Sequence, residues 1–517
     1  MKSILKIALT ISLVMAIGMA VVPYSHAHNA PLSKNTVRVD DNSRILVWNA
    51  NNAATPAQVT RDNPGQLAFI NGSGTLTPIS DVLAGSSRVE LCGPNAVSPN
   101  GRFVAIYEGI VGGVSSSLYV MVDGEAPVLV NDQFQPIGCV GGNGILDFAP
   151  DSSYMTFIEY ERDFNVGFAD GMLRIVSTED FSELFSERLV VAFEQAADGV
   201  AFVRFFQDDR SEADEVAILF WDGNTDRELT SFFAEEGCRY LNANIKTAPD
   251  GQLWLGLVSR CTGNSTQNVY RINPQTRSVE LIFSVKSGGA FPQSSEANRF
   301  WFSADGNTLF YTIPDGFTLE TVSLNAYDIT TGESRTLIER QVVIPGVNGS
   351  DTGNQPTRIS PDGRWLIAVV TDPDGSQTRM NFYDLQNPTA EPVVIAAGGR
   401  DDIITYMDFT PDGNKLVYVS GGLDNSLYTI DLTADTLNPL RVRRGNFSGF
   451  AAISPDSKEI AIAEFQILED GVRGPDYLNL VVIDLETSAE TNLFTGGEVI
   501  DDQAQNLKFA VPVYWLQ

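Results

Sequence analysis

The segment SPDGRWLIAVVTDPDGSQTRMNFYDL, residues 360–385, contains the sequence pattern that best predicts the fold of this chain. Its first four residues fit a type I turn, because proline has the φ angle that position i+1 needs and glycine is favoured at i+3. The run that follows is rich in branched and aromatic residues, which is typical of a β-strand. The segment therefore predicts a tight corner between two strands.

This corner recurs along the chain, each time before an apolar run. The prolines of the eight copies, replaced by alanine in two of them, stand at positions 99, 150, 197, 249, 304, 361, 411 and 455. Their spacing ranges from 44 residues (411 to 455) to 57 residues (304 to 361), close to the ~40–50 residues of a four-stranded propeller blade. A β-solenoid has shorter rungs and a tandem sandwich needs about 90–100 residues per unit, so the spacing favours a propeller.

Each unit continues in the same way. A strand that ends near aspartate follows after ten to twenty residues, as in RMNFYDLQ, SLYTIDLTAD and LNLVVIDLETS, and a short fourth strand such as PVVIA or ETNLF closes the unit. These residues resemble the TolB-type β-propeller repeat, and the resemblance covers about residues 90–497. It implies an all-β, WD-like propeller. It does not imply the Tol–Pal role, because the chain has no room for the N-terminal α/β domain of TolB.

The two ends of the chain complete the ring. RILVWNA, GQLAFIN and TLTPIS near the N-terminus supply three strands without an inner one, and NLKFAVPVYWLQ at 506–517 supplies a single inner strand. Joined in one shared blade, they would pair the edge strands that an open ring leaves exposed. The count of blades is then eight or nine.

The first 27 residues are typical of a cleaved secretory signal, with Lys2 and Lys6 before the apolar run Ile7–Val22 and a small-residue cleavage site. The alternative is an uncleaved anchor, but the apolar run is short for a membrane span. Residues 28–43 are expected to form a flexible mature N-terminus and residues 44–517 the propeller. We therefore expect an exported protein, periplasmic or extracellular, with no integral membrane segment after processing.

Histidine and charge exclude several functions. His26 and His28 are the only histidines, both beside the cleavage site, which argues against a Ser-His-Asp or Cys-His apparatus and against a histidine-ligated metal. The formal net charge of −31 disfavours nucleic acid as a partner. It is compatible with solubility in salt, divalent cations or a basic partner.

The four cysteines suggest two disulfides in an exported chain. Cys238 and Cys261 lie symmetrically about the corner at 248–251, so a simple hairpin would place them opposite one another, and a bulge at the turn would offset them by one residue. Cys92 and Cys139 precede the inner strands of two successive blades and could tie neighbouring loops. Two free buried thiols are the alternative.

The candidate binding residues lie in the long, variable loops of one propeller face, where rigid scaffolds usually carry binding residues. Arginines would bind carboxylates and phenylalanines would anchor a partner, with the alternative that each residue only orders its own loop. The candidates are Phe134, Phe291, Arg400, Asp401, Asp402, Arg443, Arg444 and Phe447.

Metal and catalytic signals are weak. No cofactor is required by the sequence, although calcium could bind the acidic loop that contains Asp372 and Asp374. Glu159 and Glu161 share a strand face, but chance pairs are expected among 65 acidic residues. The sequence favours a monomeric scaffold that binds a protein, a small molecule or a glycan over an enzyme. The alternative function is a carboxylate-dependent hydrolase or lyase, with or without calcium, acting on a polysaccharide or peptide.

Overall fold

The computed structural model describes most of the chain from residue 44 onward. The signal segment and residues 28–43 lie outside the described residues, so their predicted roles stay predictions. The described residues are 44–51, 65–80, 88–91, 95–109, 116–134, 146–160, 171–206, 213–261, 264–287, 300–303, 305–314, 321–343, 357–371, 378–387, 390–398, 404–420, 426–467, 473–496, 498–500, 503–505 and 508–516.

The described residues form a β-propeller of nine blades, each a four-stranded antiparallel sheet, and contain no helix. The count of nine settles the choice between eight and nine. Consequently, no helix within the described residues could cross a membrane. The blades follow one another along the chain, and in blades 2 to 9 a corner joins the inner strand to the strand beside it.

The first four blades comprise β1–β15 and the last strand, β38. Blade 1 contains β1 (Ile45–Asn51), β2 (Gln66–Ile70), β3 (Leu76–Ser80) and β38 (Lys508–Trp515). Blade 2 contains β4 (Arg88–Leu91), β5 (Phe103–Gly109), β6 (Ser116–Val122) and β7 (Val128–Phe134). Blade 3 contains β8 (Leu146–Phe148), β9 (Tyr154–Tyr160), β10 (Gly171–Ser177) and β11 (Glu183–Arg188). Blade 4 contains β12 (Val190–Ala196), β13 (Gly199–Phe206), β14 (Glu215–Trp221) and β15 (Asp226–Phe233).

Blades 5 to 7 repeat this order, and blades 6 and 7 are joined by one bridge between their sheets. Blade 5 contains β16 (Cys238–Thr247), β17 (Leu253–Cys261), β18 (Asn264–Ile272) and β19 (Val279–Ser287). Blade 6 contains β20 (Phe300–Phe302), β21 (Thr308–Pro314), β22 (Thr321–Asp328) and β23 (Ser334–Val343). Blade 7 contains β24 (Thr357–Ile359), β25 (Trp365–Thr371), β26 (Thr378–Asp384) and β27 (Val393–Gly398).

Blades 8 and 9 are followed by a short hairpin that leads into β38. Blade 8 contains β28 (Ile404–Phe409), β29 (Lys415–Ser420), β30 (Ser426–Asp431) and β31 (Pro439–Arg444). Blade 9 contains β32 (Phe447–Ile453), β33 (Glu459–Ile467), β34 (Arg473–Asp484) and β35 (Glu490–Phe494). The hairpin contains β36 (Glu498–Ile500) and β37 (Gln503–Gln505).

Side chains help to hold the turn closed in five of the corners. In blade 7 the Gly363 amide donates to the Ser360 carbonyl at 2.8 Å, and Gly363 has a φ of 70°, which glycine adopts without strain. The Ser360 hydroxyl donates to Asp362 at 2.5 Å and accepts the Trp365 amide at 2.8 Å. The hydroxyl-to-side-chain contact recurs in the pairs Ser98–Asn100, Ser303–Asp305, Thr410–Asp412 and Ser454–Asp456. The repeated motif is thus a local hydrogen-bonding unit.

The corners of neighbouring blades also touch. A Cβ placed on Gly306, in the corner of blade 6, would lie 3.4 Å from Pro249 in the corner of blade 5. Ser457, in the corner of blade 9, accepts the Asp412 amide of blade 8 at 3.0 Å. The motif therefore recurs for two reasons: it turns the chain, and it packs one blade against the next.

Aspartates organise the turns between the third and fourth strands. The carboxylate of Asp328 accepts the amides of Thr330 and Thr331, both at 2.8 Å, and Asp484 accepts the amides two and three residues later in the same way. Such Asx turns satisfy backbone donors that the strand has left unpaired. They explain why the third strand of many units ends near aspartate.

The shared blade closes the ring, as the sequence predicts. Its strand order is β3-β2-β1-β38, so the C-terminal strand occupies the inner position. Side chains alternate along β1, and both faces are buried. Leu46 and Trp48 belong to the core cluster that contains Val104 of blade 2, whereas Ile45 and Val47 belong to the cluster that contains residues of blade 9, among them Leu480 and Val482. Each of these side chains is at most 1% exposed.

Cys238 and Cys261 form a disulfide with their Cα atoms 4.1 Å apart, which confirms the predicted pair. The register that allows it differs from a simple hairpin. Next to the turn, Thr247 pairs with Leu253, which shifts the register by one residue from that of a simple hairpin. A bulge between Tyr240 and Asn242 reverses this shift, so that Cys238 pairs with Cys261. Cys92 and Cys139 lie outside the described residues, and their pairing stays a prediction.

Ser457 provides a test of the corner-to-corner contact. Its φ of 64° is strained for a serine, but its hydroxyl holds the preceding corner. Ser457→Ala keeps the strain and loses the hydrogen bond, and we expect it to lower the unfolding free energy by about 1 kcal/mol. Ser457→Gly loses the bond but relieves roughly 1 kcal/mol of backbone strain, so it should stay near wild type.

Chemical denaturation of both variants measures these differences. Equal destabilisation of Ser457→Ala and Ser457→Gly would contradict a strained residue that is retained for its hydrogen bond.

Candidate functional site

Most of the predicted site residues lie outside the described residues or lack a described side chain. Phe291, Arg400, Asp401 and Asp402 are among the first group, together with the proposed calcium ligands Asp372 and Asp374. Phe134 ends strand β7, but its side chain is not described. The loop-rich face therefore remains a prediction as a binding surface.

Arg443, Arg444 and Phe447 lie where blades 8 and 9 meet. Arg443 on β31 donates to Glu490 at 2.6 Å and to Glu464 at 3.3 Å, and its guanidinium lies 5.4 Å from the ring of Phe447. Phe447 is only 1% exposed and belongs to the core, whereas Arg444 is exposed. Arg443 and Phe447 thus join the two blades in this structure, and a role for them in binding a partner stays a prediction.

A different set of polar residues lies on the inner strands. On the inner strand of six consecutive blades, the position two residues before the start of the corner carries a charged or large aromatic side chain. We call this set the inner ring. Its members, from blade 3 to blade 8, are Asp147, Glu194, Lys246, Trp301, Arg358 and Asp408.

On one side of Trp301 the inner ring joins blades 4 and 5. The Lys246 ammonium lies 2.7 Å from a carboxylate oxygen of Glu194, and the other oxygen of Glu194 accepts the Thr247 amide at 3.2 Å. The Glu194 side chain is 16% exposed and that of Lys246 is 40% exposed. This pair is therefore partly desolvated but remains in contact with solvent.

Asp147 adds a second carboxyl group next to this pair. Its pKa is raised to about 7, mainly by burial and in addition by the charge of Glu194, against the lowering effect of Lys246 and the Phe148 amide. Two carboxylates thus share one ammonium group. Near neutral pH the neutral and charged forms of Asp147 are both populated.

On the other side of Trp301 the inner ring joins blades 7 and 8. Arg358 donates to Asp408 at 2.8 Å, and the same oxygen of Asp408 accepts the Phe409 amide at 2.9 Å. This pair has one charge of each sign. The carboxyl groups of the inner ring therefore outnumber the basic groups only on the Asp147 side, where Asp147 and Glu194 share Lys246.

A recess of about 430 Å³ opens where the inner strands of blades 5, 6 and 7 reach their corners. Since it borders three consecutive inner strands, it lies in the wall of the central channel, on the face that carries the corners. Its lining is mostly aromatic and aliphatic, with a few polar groups: Lys246, Thr247, Ala248, Pro249, Phe300, Trp301, Phe302, Ser303 and Ile359. Its volume lies within the range of ligand sites, and the recess is wide open to solvent.

The inner ring and the recess are not apparent from any single repeat. When the copies are aligned on the corner, however, they give one column that reads Asp, Glu, Lys, Trp, Arg and Asp between mostly apolar neighbours. That column is the sequence signal of the inner ring. The recess also lies on the face opposite to the predicted loop-rich face.

Glu159, the carboxylate on β9 that the sequence pairs with Glu161, has structural partners. The carboxylate of Glu159 accepts hydrogen bonds from Arg174 and, at 3.0 Å, from Asn131. Among the residues that the structure describes, no three or more histidine, cysteine, aspartate or glutamate side chains form a group that could hold a metal ion. The proposed calcium ligands are not part of that set.

Comparison with known proteins supports the fold. No family model matches the chain, and no curated protein matches it. A solved structure described as the eukaryotic initiation factor has 12% identity over 91% of this chain and 99% of its own, with a TM-score of 0.50. At this identity the likeness concerns the fold alone.

Two further solved structures are less similar. Dipeptidyl peptidase 4 from Porphyromonas gingivalis has 11% identity over 78% of this chain and 59% of its own, with a TM-score of 0.48. TolB from Acinetobacter baumannii has 14% identity over 70% of this chain and 83% of its own, with a TM-score of 0.26. The chain is a β-propeller, and membership of the TolB family stays a prediction.

The pKa of Asp147 leads to a pH-dependent prediction. Its folded value of about 7 lies above the ~3.9 of an unfolded aspartate, so the wild type loses stability as the pH rises through this interval. Asp147→Asn has no such loss. We expect its unfolding free energy, relative to wild type, to increase by on the order of 2 kcal/mol between pH 5 and pH 8.

Asp123 is the matched control, because Arg102 lowers its pKa below the usual value. Asp123 is charged in both the folded and unfolded states between pH 5 and pH 8, so Asp123→Asn should give a constant difference from wild type. Denaturation at both pH values measures the two differences. A constant difference for Asp147→Asn as well would contradict the raised pKa.

Proposed function

We propose that this chain is an exported, monomeric β-propeller scaffold that binds a protein partner at the corner-side mouth of its channel. The recess beside Trp301 is the main support for this proposal. Its lining includes Trp301 and other aromatic residues of the inner strands, together with Lys246, which pairs with Glu194. Large aromatic side chains with nearby charged groups are the usual energetic centres of protein interfaces. A small molecule or a glycan is the alternative ligand.

Export is supported by two features. The N-terminal 27 residues have the composition of a secretory signal. The Cys238–Cys261 disulfide is typical of proteins that fold in an oxidising compartment. Residence in the periplasm or outside the cell agrees with both features.

The loop-rich face is a second surface of the same scaffold. Phe134, Phe291, Arg400 and Arg444 are its candidate contacts, and Asp401 and Asp402 supply charge beside them. Variable loops on a rigid scaffold are a common place for binding residues. A partner could therefore contact either mouth of the channel.

A carboxylate-dependent hydrolase or lyase is the second candidate function. The observation that favours it is the pair Asp147 and Glu194, in which burial raises the pKa of Asp147 to about 7, as a general acid would require. Calcium at Asp372 and Asp374 could assist such chemistry. Product release from a polysaccharide or peptide library by wild type, but not by Glu194→Gln, would favour this candidate over the scaffold.

Site-specific crosslinking in the native envelope tests the scaffold proposal. p-Benzoylphenylalanine replaces Trp301 in the recess, Phe291, which the sequence assigns to the loop-rich face, or Phe233, which is 71% exposed on the outer strand β15. All three replacements exchange one aromatic side chain for another. We expect a defined protein adduct from position 301 and none from position 233.

The adduct from position 291 decides whether the loop-rich face takes part. Equal labelling at positions 233 and 301, or no adduct at either 291 or 301, would contradict a protein-binding scaffold. In that case the small-molecule, glycan and enzymatic alternatives would take its place.

A further inference from the structure

Blade 1 closes the ring, and one of its turns contains a reactive dipeptide. Asn71 and Gly72 lie between β2 and β3, and both residues are partly exposed. The backbone nitrogen of a glycine that follows an asparagine can attack the side-chain amide carbon, because glycine has no side chain to obstruct the approach. The product of this attack is a cyclic imide, which water converts into aspartate or isoaspartate.

The hydrogen bonds of this turn favour the attack. Three donors approach the side-chain oxygen of Asn71: the Ser73 amide at 3.2 Å, the Ser73 hydroxyl at 2.8 Å and the Thr75 amide at 2.9 Å. They stabilise the negative charge that this oxygen gains when the amide carbon becomes tetrahedral. The Gly72 amide, in contrast, takes part in no hydrogen bond within the described residues, so its nitrogen is available to attack.

We propose that Asn71 is a site of spontaneous deamidation, with water as the co-reactant. The Gly72 nitrogen forms a bond to Cγ of Asn71 and gives its proton to water. The bond between Cγ and Nδ2 then breaks, and Nδ2 takes up a proton and leaves as ammonia. Water adds to one of the two imide carbonyl groups, and the bond from that carbonyl carbon to the Gly72 nitrogen breaks. Position 71 thereby becomes aspartate or isoaspartate, and no oxidant or reductant is required.

The same dipeptide in the corner of blade 2 is protected. Asn100 is exposed and Gly101 is partly exposed, so solvent reaches this dipeptide at least as well. The Gly101 amide, however, donates to the Ser98 carbonyl at 2.8 Å. A nitrogen held in this way keeps its proton, and the hydrogen bond must break before the nitrogen can attack. The two other Asn-Gly dipeptides of the chain, at 143–144 and 348–349, lie outside the described residues.

The turn that contains Asn71 has no room for a longer backbone. A Cβ placed on Gly74 would lie 2.7 Å from the carbonyl oxygen of Leu493, on the outer strand β35 of blade 9. Leu493 belongs to the core cluster that also contains Ile70, at the end of β2. Isoaspartate adds a methylene group to the main chain, so it displaces Gly74 from this contact. Deamidation through isoaspartate therefore weakens the packing of blade 1 against blade 9.

Peptide mapping by mass spectrometry, after incubation of the full chain at pH 8, measures the conversion of both asparagines. We expect Asn71 to convert at least about fivefold faster than Asn100 in the folded protein, because the Gly101 hydrogen bond must break first. In concentrated urea, where neither turn persists, the two rates should be similar. Conversion of Asn71 should be slower at pH 6, since the attacking nitrogen must lose its proton.

Two variants separate the reaction from its effect on stability. Gly72→Ala places a Cβ beside the attacking nitrogen, and Gly72 does not have the positive φ that would strain an alanine. We expect this variant to convert severalfold more slowly at position 71, to convert Asn100 at the wild-type rate and to keep its melting temperature on incubation. Asn71→Asp has the charge of the product on a backbone of ordinary length. Incubated wild type should therefore melt below Asn71→Asp.

Two results would overturn the site: equal conversion of Asn71 and Asn100 in the folded protein, or no conversion of Asn71 over a period in which conversion is complete in urea. An incubated protein that carries isoaspartate at position 71 and melts with Asn71→Asp would overturn the effect on the contact with blade 9. The proposed binding function enters none of these measurements, so the two proposals fail or hold separately.

Discussion

The pairing of β1 with β38 is the constraint on which the rest of the structure depends. A ring of β-sheets that stayed open would leave the first and last sheets with one face uncovered and would leave β1 as an unpaired edge. Because β38 occupies the inner position of blade 1, both faces of that blade are buried, against blade 2 through Leu46 and Trp48 and against blade 9 through Ile45 and Val47. Closure fixes the positions of all nine inner strands, and the recess depends on three of them.

Short polar motifs give each blade its shape, and contacts between blades determine what the channel offers. The corner forms within six residues, through the Ser360 hydroxyl and its partners, and is repeated with small changes. The inner ring, in contrast, exists only when blades stand side by side: Lys246 meets Glu194 across 52 positions of sequence, and Arg358 meets Asp408 across 50. Function is therefore proposed for residues that only the packing of neighbouring blades brings together.

The sequence was sufficient for the parts of the fold that local chemistry decides. The corners, the strands after them, the shared blade and the Cys238–Cys261 pair follow from turn residues and strand patterns. The bulge near Tyr240 was not predicted, because it reflects packing within the sheet. Phe447 resembled a loop residue beside glycine and serine, yet it begins β32 and is buried between blades. No single repeat predicts the recess, because its lining residues come from three separate repeats.

A designed crosslink between β1 and β38 tests ring closure most directly. Asn49 and Ala510 are paired across these strands, so Asn49→Cys with Ala510→Cys should form a disulfide in the purified protein and raise the melting temperature. Asn49→Cys with Tyr514→Cys, four positions further along β38, should leave both introduced thiols free. Free thiols in the first variant while the protein is folded, or disulfides in both variants, would contradict a ring closed by these two strands.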